Sequence, residues 1–207
     1  KKCPSATLVG YDGVRGTAMR DATKTVFGKS AKQVLDLSDA KVIVTLQADI
    51  LGNDPSMISN ANAFAKNRDP IQGEMSRLYV VEGGYTSTGV MADSRLALRP
   101  SQMPAFLSEL GRRVEKLAAG ETHEHAEESK AYDELTHPER LERFLDVLSH
   151  DVAEAGNAAV VVVGEHLGAE AIAAGIALNK KLGSLGKIQK FAPEVDGELA
   201  DSTSLGD

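Results

Sequence analysis

The residues best suited to chemistry lie in the run Gly83-Gly84-Tyr85-Thr86-Ser87-Thr88-Gly89, the densest cluster of hydroxyls and backbone freedom in the chain. Loop amides with Thr and Ser oxygens can cradle a tetrahedral anion; the same composition also suits a plain crossover loop. His166 follows Glu165 at the end of an apolar run, a good position for acid–base work, but no acid or nucleophile partner can be assigned from the sequence. His123 and His125 alternate within an acidic segment, so a solvated charged face is expected there rather than a metal site. Glu127 and Glu128 are adjacent and diverge on a helix. Ser87 has no base, and no G-x-S-x-G elbow follows a strand. The phosphate cradles G-x-G-x-x-G and G-x-x-x-x-G-K-[ST] are absent, which removes the usual basis for dinucleotide or nucleoside-triphosphate chemistry. Cys3 is the single cysteine, so neither an internal disulfide nor a self-contained iron–sulfur cluster can form.

These residues must be positioned by a fold, and the apolar pattern indicates which. Ala6–Tyr11, Lys41–Ala48, Arg77–Glu82 and Ala158–Gly164 read as strands, with Lys187–Phe191 a weaker fifth. V-I-V-T-L and A-V-V-V-V are continuous rather than alternating, as in parallel strands covered on both faces. Helices are expected over Thr17–Phe27 and Ala169–Leu182, each stopped by a glycine, Gly28 and Gly183. Another is expected to open at Asp54-Pro55, and further ones carry Phe106, Leu107, Leu110, Val114 and Leu117, and Leu141, Phe144, Leu145, Leu148 and Val152. The alternation predicts an α/β chain: a doubly wound, mostly parallel, Rossmann-like sheet with helices on both faces. We divide it into a nucleotide-fold lobe at 1–118, a charged insert or linker at 119–137, a returning lobe at 138–192 and a tail at 193–207 without apolar period. The fourth strand and last helices are expected to return to pair with the first strand. Ligands of such sheets bind beyond the carboxyl ends of the strands, so the loops at Asp12–Gly16, Asp49–Asp54, Gly83–Gly89 and Glu165–Gly168 are the places to inspect.

At 207 residues and 42% hydrophobic composition the chain can bury a core. A net charge of −7 from interspersed residues argues against a nucleic-acid partner. The longest apolar run, Ala158 to Val163, falls far short of the roughly 20 residues of a membrane span, so a soluble segment without membrane insertion is expected. An opening at Lys1-Lys2-Cys3 reads as a cut-out segment, which leaves the compartment open.

Longer stretches carry a resemblance. The run Leu37 to Asp49 is followed by Leu78-Tyr79-Val80-Val81-Glu82, then Thr86 and Thr88, Ala92-Asp93, and Leu98-Arg99-Pro100-Ser101-Gln102 leading into a helix. Val160 to His166, Leu178-Asn179 and Leu182 to Lys187 complete the series. In that order, over roughly Ala6 to Phe191, the chain resembles the molybdopterin oxidoreductases, the dimethyl-sulfoxide-reductase superfamily. Leu46 to Gly52 and Gly164-Glu165-His166 look closest to the large molybdopterin-like iron–sulfur subunit of alternative complex III, a quinol-oxidising bacterial membrane assembly. The resemblance implies a domain fragment on the outer, periplasmic face of the membrane. Its implied partners are other domains of its parent subunit and other subunits of a membrane redox complex. By the same resemblance the cofactor-facing residues are Asp49, Gly52, Asn53, Glu82, Gly83, Thr86, Thr88, Arg99, Ser101 and Gln102.

The departures from the family pattern point to a segment without redox catalysis of its own. Gly83-Gly84 stands where cofactor-binding members have proline-arginine, removing a guanidinium available to phosphate. Ser101-Gln102-Met103 stands where they have glycine-threonine-aspartate, and a thioether cannot take the hydrogen bonds of a guanine edge. At about 1.5–3 kcal/mol for each charge-assisted contact, the two losses amount to about two to four decades of affinity. No catalytic residue, metal ligand or cofactor is therefore expected in this chain. Two other readings remain open: an authentic molybdenum enzyme whose loops hold molybdopterin guanine dinucleotide, and a free-standing α/β module for a small ligand. In the scaffold reading the cleft keeps its shape, with Arg99 as its main remaining cation.

Overall fold

The computed structural model describes residues 9–10, 16–71, 73, 75–120, 138–193 and 200–201. The expectations for Cys3, for His123 and His125, for most of the 119–137 insert and for most of the tail fall outside them.

Eight strands and six helices are described: β1 Val9–Gly10, α1 Ala18–Phe27, β2 Ala31–Leu35, β3 Val42–Leu46, α2 Met57–Lys66, β4 Arg77–Glu82, α3 Ser87–Val90, β5 Ser94–Ala97, α4 Met103–Ala118, α5 Pro138–Ala155, β6 Ala159–Val163, α6 Gly168–Leu182, β7 Gln189–Pro193 and β8 Ala200–Asp201. Four strands form one all-parallel sheet in the order β5-β4-β3-β6. All five residues of both β3 and β6 are buried, as their unbroken apolar runs require. Alternate side chains serve two cores. Val42, Val44 and Leu46 meet Phe106, Leu110, Leu145 and Ile176 from α4, α5 and α6, whereas Ile43, Leu78 and Val160 meet Phe64 of α2. The sheet is thus covered by helices on both faces, a Rossmann-like α/β arrangement.

Three expectations are corrected. The fourth predicted strand, now β6, pairs with β3 and not with the first strand, whose described part, β1, pairs with β8. An all-apolar strand gains most beside another one, and β3 is that neighbour. The fifth, now β7, lies two residues further on and joins β2 in a separate antiparallel ribbon, with Gln33 opposite Phe191. The helix after Asp54-Pro55 starts at Met57, because the Asp54 carboxylate accepts from the Ser56 amide at 2.7 Å and closes a turn first.

β6 is an edge of the main sheet, yet its outer edge is closed. The buried Asn179 amide takes the place of a strand: its oxygen accepts from the Val161 N–H and its nitrogen donates to the Val161 carbonyl, both at 2.8 Å. Asn179 also donates to Gln189, which donates to Gln33. α4 and α5 are joined by Arg113, 1% exposed, which donates to Glu109, Glu142 and Asp146 at 2.5 to 2.7 Å. Burial pushes the Glu109 carboxyl up, but hydrogen bonds from Arg112 and Arg113 outweigh it and hold Glu109 at about 2. At the start of β4, burial and a hydrogen bond to Asp151 push Tyr79 up to about 12.

Candidate functional site

The carboxyl ends of β3, β4 and β6 bring the loops at Asp49–Asp54, Gly83–Gly89 and Glu165–Gly168 to one edge of the sheet, whereas most of the Asp12–Gly16 loop lies outside the described residues. The chain leaves β3 through Gln47, which has a left-handed φ of 50°. Gln47 Oε1 accepts from the Gly83 amide at 3.0 Å, tying the β3 exit to the β4 exit. On its other side the backbone lies against Gly164: a Cβ on Gly164 would stand 2.0 Å from the Gln47 carbonyl oxygen, so only glycine fits. β3 leads to β4 on one side while β6 lies on the other, making this the point where the strand order reverses and α/β sheets open toward ligands.

Two carboxylates organise what lies beyond. Asp49 Oδ1 accepts from the Thr88 amide at 2.9 Å and the Thr88 hydroxyl at 2.7 Å. The same hydroxyl accepts from the Leu51 amide at 3.0 Å. The β3 loop and the start of α3, 39 residues apart in sequence, are thereby locked face to face. They are so close that a Cβ on Gly52 would stand 2.6 Å from Ser87. Glu82, 1% exposed, accepts from the Thr86 hydroxyl at 2.7 Å and from Arg95 Nε at 2.6 Å. Thr86 in turn accepts from the Gly89 amide and caps α3. The Arg95 guanidinium is covered by the Tyr85 ring, 3.7 Å from its centroid.

The ten residues singled out from the sequence divide into two groups. Asp49, Gly52, Glu82, Thr86 and Thr88 come together in this cluster, facing one another. Gly83 is exposed and adjoins the next loop, where a Cβ would come within 3.4 Å of Pro100. Arg99 and Ser101 are exposed there, Gln102 is buried, and Met103 lies fully inside the core. Asn53 is exposed and its amide completes the turn on the Asp49 carbonyl. Glu165 and His166 are exposed on the far side of the same edge.

Sequence reasoning missed Gln47, Arg95 and the need for glycine at 89 and 164. A Cβ on Gly89 would stand 1.8 Å from Glu82 Oε1. A glycine directly after a buried strand, as at 164, was the one local signal available. Among the described residues no three His, Cys, Asp or Glu side chains are grouped as metal ligands, and no helix is long and apolar enough to cross a membrane.

Each Thr hydroxyl has a single proton, and those of Thr86 and Thr88 are donated to carboxylates. Besides backbone, the edge presents Asn53, Ser87, Arg99, Ser101, Glu165 and His166 to solvent.

The fold and this edge define an α/β domain with a parallel sheet whose carboxyl rim is tied together by its own side chains. No family model and no curated protein matches the chain. Among solved structures it is similar to acetylene hydratase from Pelobacter acetylenicus, with 14% sequence identity and a TM-score of 0.49 over 83% of this chain. The chain spans about a quarter of that protein's length, covering 25% of it.

Proposed function

We propose that the chain is a non-catalytic scaffold domain of a molybdopterin-oxidoreductase-type subunit, working within a membrane-associated, quinol-oxidising electron-transfer complex at the periplasmic face. The family part of this reading rests on the ordered resemblance of Leu37–Asp49, Leu78–Glu82, Leu98–Gln102 and Val160–His166. The scaffold part rests on one observation: Thr86, Thr88, Asp49 and Glu82 satisfy one another instead of facing outward. A phosphate seated there would have to break charge-assisted bonds and then meet two carboxylates, a repulsion that disfavours it.

The residues present do not fit a guanylylated pterin. No carboxylate stands at Met103, which is buried, and the Glu82 carboxylate that ends β4 is engaged by Arg95. The domain's role is then mechanical: a stiff sheet with a braced rim that holds neighbouring electron-transfer domains in register.

The test is metal analysis and pterin fluorescence on the full-length protein purified from its native host. We expect neither molybdenum nor tungsten and no pterin emission arising from this domain. Stoichiometric pterin lost on Ser101→Asp or Arg99→Ala substitution would overturn the scaffold reading in favour of a cofactor-binding one.

A further inference from the structure

The four-stranded sheet has two outer strands, and among the described residues the chain closes only one of them. On β6 the Asn179 amide stands in for a neighbouring strand at Val161. On β5 no described group does so. The Asp93 N–H donates to the Leu78 carbonyl at 2.9 Å, and the alternation of a parallel ladder then turns the N–H and C=O groups of Ser94 and Leu96 away from β4.

An open strand is usually guarded by a charge, a proline or a bulge that turns a further strand away. The register of β5 with β4 runs unbroken from Ser94 to Ala97, without proline or bulge. Residues 93–97 carry two charges, Asp93 and Arg95, and the chain neutralises both. Arg95 Nε donates to Glu82 at 2.6 Å, and its guanidinium is covered by the Tyr85 ring. Asp93 accepts from both Nη atoms of Arg68, at 2.6 and 2.7 Å. The crossover that leads into β5 exposes Val90 at 71% and Met91 at 53%.

We infer that β5 pairs with β5 of a second copy of the chain, joining the two four-stranded sheets into one across a two-fold axis. A row of main-chain donors and acceptors is matched by another extended strand, not by a helix. The two-fold sets the strands antiparallel, which is how an otherwise parallel sheet takes an added outer strand. Charge selects the occupant. A strand with an unneutralised charge would repel its own copy and favour a partner of opposite sign. With Asp93 and Arg95 paired inside the chain, β5 has no such preference and meets an identical strand without penalty, while the exposed Val90 and Met91 add apolar surface that a like surface covers.

The test is sedimentation velocity of the full chain over a range of concentrations, with amide hydrogen exchange read residue by residue at the two ends of that range. The expected result is a dimer at about 100 μM, a concentration at which a Kd of about 10 μM leaves mostly dimer, and dissociation on dilution. The Ser94 and Leu96 amides should exchange more slowly in the dimer. Ser94→Pro removes an outward N–H and no bond among the described residues, at the first position of a strand, where proline is accepted. It should keep the native circular dichroism spectrum and sediment as a monomer. Val90→Asp, at an exposed site, places a like charge on each copy and should weaken the dimer by about tenfold or more. A native chain that stays monomeric would overturn the proposal. So would a dimer that persists unweakened in folded Ser94→Pro or, if that variant does not fold, in Val90→Asp. Exchange at Leu96 that does not depend on concentration counts against it equally, since the strand would then be covered within one chain or not at all.

Discussion

The carboxyl edge of the parallel sheet and the ribbon end of β2 and β7 use polar side chains in opposite ways. At the edge, hydroxyls and carboxylates are turned toward one another, as Asp49 with Thr88 and Glu82 with Thr86 and Arg95. At the ribbon, the exposed Lys29 lines an open groove beside Phe27, Ala31 and Phe191 and has no ion-pair partner among the described residues. The first region is richer in the residue types that bind anions, yet its Thr86, Thr88 and Arg95 donors are engaged by carboxylates. Capacity for a ligand follows unsatisfied groups, not composition. The contrast also assigns energies: edge polar groups should matter to stability, and ribbon lysines should not.

The largest effect is expected at Gly164. A Cβ there meets the Gln47 carbonyl, a backbone atom that cannot swing away, so Gly164→Ala should cost more than about 4 kcal/mol and leave little folded protein. A soluble variant with an unchanged urea midpoint would show that the β3 and β6 exits are not packed as described. Glu82→Ala comes next, at about 3 kcal/mol or more, because it strands Arg95 and the Thr86 hydroxyl. Urea unfolding followed by circular dichroism measures it. Thr88→Val removes the hydroxyl bonds to Asp49 and from Leu51 and should cost about 1–3 kcal/mol by the same assay. At the ribbon, Lys29→Glu should change stability by less than about 0.5 kcal/mol. A Lys29→Glu cost comparable to that of Thr88→Val would erase the distinction between the regions.

The α4 and α5 brace offers a reference titration. Glu109 sits at about 2 in the fold against an ordinary 4.5, so its contribution is complete above pH 4.5 and is lost as pH falls from there toward 2. Arg113→Leu should flatten that part of the stability profile, and an unchanged slope would detach Glu109 from the brace. Tyr79, raised to about 12, acts at the other extreme: its contribution is complete below pH 10 and lost as pH rises through 10 to 12.

Much of the fold was readable in the sequence because it rests on local pattern. The unbroken V-I-V-T-L and A-V-V-V-V runs specify buried parallel strands, and Gly28 and Gly183, at φ of 73° and 78°, stop α1 and α6 as expected. β2 and β5 were not readable. Ala31–Leu35 is interrupted by Lys32 and Gln33, and Ser94–Ala97 is four residues long with one fully buried side chain. Of the ten residues named from the sequence, five assemble at the strand ends. What those five face was not readable: Asp49 and Thr88 meet across 39 positions, and nothing local tells a hydroxyl facing a phosphate from one facing a carboxylate. Nothing in the local pattern of α4 marks Arg113 for burial, which only the approach of α5 explains.

We read the carboxyl edge as a self-satisfied brace rather than a nucleotide cradle. Calorimetric titration of the protein with guanosine diphosphate tests it most directly, since that molecule carries both the guanine edge and the phosphates of the cofactor such an edge would hold. We expect no heat of binding at micromolar concentration in either the native protein or Arg99→Ala; saturable micromolar binding that disappears in Arg99→Ala would show that the edge is a cradle.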